Sequence, residues 1–124
     1  VFKTLLCILA LSLTPTLLRS AAPPAPPTTS ITTPATVPAG TSFFVEFGWS
    51  GNVAADGVFE VTLIEVDDQG KYVRLIHSFS QPTGGFACGL VQWELACDRP
   101  GLYALFVIYD PGIVICSISE ITAN

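Results

Sequence analysis

A chain of 124 residues with a formal net charge of −5 is long enough for one ordinary domain and too short for two. Half of its residues are hydrophobic and 12% are charged, which excludes charge-driven disorder for the chain as a whole. Ten acidic residues against five basic ones leave no basic stripe for a phosphate backbone, so nucleic acid is not expected as a partner.

Residues 1–22 have the organisation of a secretory signal peptide. Lys3 supplies a positive start and Leu5 to Leu13 form a nine-residue apolar run. Pro15 then breaks any helix, and Ser20, Ala21 and Ala22 are small enough for cleavage. The run is far shorter than the ~20 residues that cross a bilayer, so no permanent membrane anchor is expected. Cleavage removes Lys3, Arg19 and Cys7, leaving Lys71, Arg74 and Arg99 against ten acids, a net charge of −7. Cys88, Cys97 and Cys116 remain, in a compartment where disulfides persist.

Residues 23–38, PPAPPTTSITTPATVP, are expected to form a semi-rigid extended linker, with Ile31 to Thr33 as a weak first edge strand. From residue 39 onward turn signals separate short β-branched and aromatic runs. Thr41 to Trp49 alternates, with Phe43, Val45, Phe47 and Trp49 on one face and Glu46, Gly48 and Ser50 on the other. After a loop at 51–57, Val58 to Val66 places Phe59, Val61 and Leu63 on one face. Asp67-Asp68-Gln69-Gly70 predicts a hairpin turn into Tyr72 to Phe79. Further strands follow at Leu90 to Leu95, Leu102 to Tyr109 and Ile113 to Ile121, the last two joined at Asp110-Pro111-Gly112. No stretch after the leader shows a sustained helical period with caps. The fold class is all-β, an immunoglobulin-like sandwich of about seven antiparallel strands over residues 39–124.

No catalytic, cofactor or metal site is expected. His77 is the single histidine, which leaves no multi-histidine metal site and no nucleophile elbow beside it. Glu65, Asp67 and Asp68 form an acidic cluster that reads as solvated turn residues rather than a calcium site. Trp49 and Trp93 are read as core residues rather than carbohydrate platforms. An extended strand between Cys88 and Cys97 sets them roughly 25–30 Å apart. A disulfide needs Cα atoms within ~7 Å. An up-and-down path through the last three strands instead brings Cys88 to the end where Cys116 lies. A Cys88–Cys116 bridge is the expectation, with Cys97 free or paired between chains.

Both faces of the last hairpin are apolar, where a strand pair with one wet face should alternate. If Tyr109 pairs with Ile113, the outward face holds Leu105, Val107, Tyr109, Ile113 and Ile115, the candidate partner-binding residues. Gly101-Leu102-Tyr103 also suits a tyrosine corner, which would turn Tyr103 inward and exchange the faces. Both parities stand open. Either leaves an outer apolar strip, covered by the linker or first strand or else exposed in the way that marks partner or self-association surfaces.

Ile31-Thr32-Thr33-Pro34, Ala39-Gly40-Thr41, Trp49 ending a strand, Trp93 and Pro100-Gly101-Leu102-Tyr103 carry a resemblance across residues 31–121. The chain resembles the N-terminal immunoglobulin-like domain of fungal Ser/Thr-rich secreted or cell-wall surface proteins, of the yeast glucan-assembly type. The resemblance implies an extracellular, wall-associated, non-enzymatic role. Three cysteines beyond the leader and the lack of a Ser/Thr-rich anchored tail depart from that pattern, so the anchor is not carried over.

The leading expectation is a secreted, non-catalytic interaction or structural module whose partner is a protein or a cell-wall polymer. The alternative is a secreted effector-like or inhibitor protein that binds a host or competitor protein. A small secreted hydrolase would need polar residues clustered in a cleft, which the sequence does not show.

Overall fold

The computed structural model describes residues 26–110, 112 and 114–124. The signal-peptide reading of residues 1–22, Ile113, and part of the Asp110-Pro111-Gly112 turn lie outside the described residues.

Alternation of large apolar and small or polar residues makes each strand one-sided, and two sheets stack to hide the apolar sides. Among the described residues the strands in chain order are β1 (Thr28–Thr32), β2 (Thr36–Val37), β3 (Ser42–Ser50), β4 (Val58–Val66), β5 (Tyr72–Pro82), β6 (Cys88–Ala96), β7 (Gly101–Asp110) and β8 (Val114–Ala123). One sheet has three strands in the order β1-β3-β6, the other five in the order β2-β8-β7-β4-β5. All pairings are antiparallel except the two-residue β2–β8 pairing. The architecture is an immunoglobulin-like β-sandwich.

Two expectations about the chain path are corrected. The sandwich begins at Thr28, inside the stretch whose composition reads as a linker. Pro34 and Pro38 bracket β2, so the prolines sit where no ladder hydrogen bond is required of them. The chain also does not run up and down through its last three strands. It leaves the five-stranded sheet after β5, visits the three-stranded sheet as β6, and returns as β7. Strand-to-strand spacing is similar either way, so turn signals cannot tell a hairpin from a crossover.

The core is aromatic. Phe47 is fully buried, with its ring stacked on Trp93 at 5.0 Å and edge-on to Phe59 at 4.9 Å. Trp49 and Trp93 are each 7% exposed, which places both in the core as expected. Burying an indole leaves its N–H to be satisfied. Trp49 Nε1 donates to the Phe86 carbonyl and Trp93 Nε1 to Gln81 Oε1, both at 3.0 Å. The Trp49 ring lies flat across Gly89, its neighbour on β6. At the β4–β5 hairpin Gly70 takes a φ of 81°, and Asp67 Oδ1 accepts from the backbone N–H of Gln69 and Lys71. Asp67 is therefore a turn residue, as its position predicts.

One side of the sandwich is closed by hydroxyls. Ser117 and Ser119 on β8 share the inward face with Val107 and Leu105 on β7. The Thr29 hydroxyl donates to the Cys116 carbonyl at 3.0 Å and pairs with the Ser117 hydroxyl at 2.8 Å, while Thr33 pairs with Ser119. These bonds tie β1 to β8 across the two sheets.

Candidate functional site

Strand β7 decides which side of the last hairpin faces out. Tyr103 is 1% exposed, and its hydroxyl donates to the Arg99 carbonyl at 2.6 Å. That bond makes the tyrosine corner and turns Tyr103 inward. Leu105, Val107 and Tyr109 follow it at period two into the core, so these three face inward and not outward as the partner-binding expectation had them. Tyr109 is held there by its hydroxyl, which accepts from the Ala54 N–H at 2.8 Å.

The outward residues of β7 are Leu102, Ala104, Phe106 and Ile108. On β8 a bulge at Cys116 resets the alternation, because Ile108 pairs with Ile115 while Val107 pairs with Ser117. Ile115 and Ile118 thereby share the outer face, which strict alternation would have split. Of the five candidate residues, Ile115 alone is placed there, half-buried, and Ile113 lies outside the described residues. Strand β4 adds Ile64 and Val66 to this face. Two bulges in β5, at Val73 and Ile76, put Tyr72 and Leu75 opposite them.

The outer face of the five-stranded sheet is thus apolar toward the 67–70 hairpin, with Tyr72 61%, Leu75 52% and Leu102 40% exposed, while Glu60, Thr62, Ser78 and Ser80 share its other half. At its end beside the 67–70 hairpin is a groove of about 310 Å³ with an apolar floor of Val66, Leu102, Ala104 and Ile118, walled by Asp68, Glu120 and Thr122. The three-stranded sheet presents the opposite character. Its outer face carries Thr28, Ser30, Thr32, Glu46, Ser50, Gln92 and Glu94, with Phe44 and Leu90 as apolar exceptions.

Charge is concentrated at one end. Glu65, 8% exposed, accepts from Arg74 Nε at 2.6 Å and from Arg99 Nε and Nη2 at 3.0 and 3.1 Å. Arg74 also forks onto Asp98, with Nη1 at 2.9 Å and Nη2 at 2.5 Å. The Arg99 guanidinium, with Arg74 behind it, holds the Glu65 carboxyl below the usual carboxylate range despite burial. Arg74 does the same for Asp98. Two of the three bases among the described residues, Arg74 and Arg99, are therefore spent on neighbouring acids, and the remaining charge is mostly acidic.

Both carboxyls titrate lower folded than unfolded, so their stabilisation is present above about pH 4 and is lost as pH falls through the lowered folded values. Thermal unfolding temperature is expected to hold near neutrality and drop below about pH 4. Glu65→Gln, which keeps the shape without the charge, is expected to lower stability at neutral pH and flatten that acid limb. Melting curves of both proteins across the pH range check it.

Cys88, Cys97 and Cys116 are free thiols. The expected Cys88–Cys116 bridge is corrected. Cys88 and Cys116 do lie at the same end, but β3 and β1 stand between them. Two strand spacings are about 10 Å, beyond what a disulfide spans. Cys97 is fully buried, and burial together with the charge of Asp98 pushes its thiol up to about 11, away from reactivity. His77 is exposed on β5 with its ring 5.2 Å from that of Phe79. The Ser80 hydroxyl donates to Glu60, so it does not form a Ser–His pair. Among the described residues no three His, Cys, Asp or Glu side chains stand close enough to hold a metal ion.

Neither a family model nor a curated protein matches the sequence. Solved structures do match its shape. A β-glucosidase from Listeria innocua in complex with isofagomine matches with a TM-score of 0.55 at 18% identity, over 79% of this chain and 16% of that one. A superoxide reductase (neelaredoxin) from Ignicoccus hospitalis matches with a TM-score of 0.50 at 18% identity, over 78% of this chain and 80% of that one. A variant of the same reductase gives 0.51 at 16% identity, over 79% and 81%. At such identities the likeness shows the fold alone, a β-sandwich of the immunoglobulin-like kind.

Proposed function

We propose that the chain is a secreted, non-catalytic binding or structural module of the cell surface, whose contact surface for a protein or wall polymer is the outer face of the five-stranded sheet. The observation that carries the reading is the apolar cluster and groove at one end of that face. Tyr72, Leu75 and Leu102 stay exposed beside Ile64, Val66 and Ile118 at the end of that face nearest the 67–70 hairpin. Large apolar patches of this kind are uncommon on monomers without partners. The apolar run Leu5 to Leu13 behind Lys3 supports export, and the resemblance to fungal wall proteins supports a wall-associated setting.

Fractionation of a secreting culture into medium, wall and cell contents tests it. The full chain is expected outside the cell and retained on wall or partner. A Leu75→Glu, Leu102→Glu double variant changes two exposed positions. It is expected to fold and be exported, yet to be retained at least about tenfold less, since one or two central side chains dominate most contacts. Intracellular accumulation of the full chain, or equal retention of the variant, overturns the reading.

A further inference from the structure

Two open sheets have four edges, and exposed edges invite pairing with other chains. Three of the four are protected by identifiable devices. β1 is tied to β8 through Thr29 and Thr33. β2 is two residues long, and the stretch of β8 that it leaves open is bulged at Cys116 and met by Thr29 and Thr33. β5 is bulged twice, carries Arg74 and ends on Pro82. β6 has none of these. It runs nine residues, Cys88 to Ala96, in unbroken register with β3 and contains no Pro, Lys or Arg. Its other side pairs with no strand among the described residues.

What lies beside this edge says what would fit there. The three-stranded sheet is the narrower layer, and β5 runs beneath the β6 edge, with Phe79 edge-on to Trp93 at 5.3 Å and Gln81 bonded to its indole. A shallow groove of about 300 Å³ is left between the two edges, lined by Ser42, Ile76, His77, Glu94, Leu95 and Ala96. An added strand would turn every second side chain into that groove, toward Ile76 and Leu95, so apolar residues suit those positions. Its alternate side chains would stand on the outer face beside Glu94 and Gln92, with Glu46 one strand further in, a face on which the described strands place no base. Opposite charges across strands are favourable and like charges are not.

We propose that β6 accepts an extended segment of another protein as a fourth strand, one in which apolar residues alternate with Lys or Arg. A second copy of β6 fits poorly, because it brings another Glu94 and no base to an edge that is already acidic. The chain's own Pro23 to Pro27 stretch fits poorly too, because four of its five residues are prolines, which cannot donate to a ladder. The edge belongs to the opposite sheet from the apolar outer face, so the two contacts are separable.

The test uses the full chain and three synthetic peptides: alternating valine and lysine, alternating valine and glutamate, and the lysine peptide N-methylated at every second residue. The lysine peptide is expected to bind and to slow hydrogen exchange at alternate amides from Cys88 to Ala96. The glutamate peptide is expected to bind up to about fivefold more weakly per cross-strand pair, and the N-methylated peptide not at all. Glu94→Lys, an exposed change, reverses the preference between the charged peptides, while Leu102→Glu leaves binding unchanged. Failure of the lysine peptide to bind overturns the proposal. So does binding without protection of β6, an unreversed preference in Glu94→Lys, or self-association of the chain through the same amides.

Discussion

Replacing Phe47 with alanine is expected to cost about 3–5 kcal/mol, the range for removing a fully buried aromatic ring. Phe47 meets the opposite sheet edge-on at Phe59, 4.9 Å away, and packs within its own sheet against Trp93 at 5.0 Å and Trp49 at 6.1 Å. Three aromatic partners cannot all close on the space it leaves, so a cavity term adds to the lost transfer energy. A domain of this size has only about 5–15 kcal/mol of total stability. The variant should therefore unfold at a much lower urea concentration and show a tryptophan emission shift even when folded. A loss below about 1 kcal/mol would mean that the sheets repack readily and that Phe47 is not the centre of the core.

The second large effect is expected at Gly89. A Cβ at this position would lie 2.3 Å from Cζ2 and Cη2 of Trp49, far inside van der Waals contact. Gly89→Ala must therefore push the indole off β6. That movement breaks its bond to the Phe86 carbonyl and disturbs its packing on Phe59, 5.3 Å away. Overpacking of this kind costs about 1–3 kcal/mol, with the lost hydrogen bond adding to it. A double-mutant cycle isolates the cause. In a Trp49→Leu background the ring that collides is gone, so Gly89→Ala should cost much less than it does alone. Equal costs in both backgrounds would place the strain in the backbone instead.

Strand existence and inward faces for β3 and β4 were legible because both keep strict alternation: Phe43, Val45, Phe47 and Trp49 on one, Phe59, Val61 and Leu63 on the other. The tyrosine corner at Gly101-Leu102-Tyr103 was one of two parities the sequence left open, although it is a local motif whose acceptor, the Arg99 carbonyl, is four residues upstream. The candidate partner residues were mostly misplaced for a physical reason. Apolar residues occupy both faces of β7, so polarity carries no information about parity there. The Cys116 bulge then breaks period two in β8, and the bulges at Val73 and Ile76 do so in β5, with no glycine or proline to announce them. Tyr72 and Leu75 were missed on that account.

Local alternation and turn chemistry, carried by residues a few positions apart, determined from the sequence alone that this is a stack of one-sided strands with a tryptophan-rich interior. Which sheet each strand joins, which side of β7 meets water, and how far apart the cysteines end up were decided only in the tertiary structure. Those outcomes depend on pairings such as Ser50 with Cys88 and Thr29 with Trp49, between residues with little or no local signal of each other. They follow from which arrangement buries the most apolar surface, and that is a property of all the strands together.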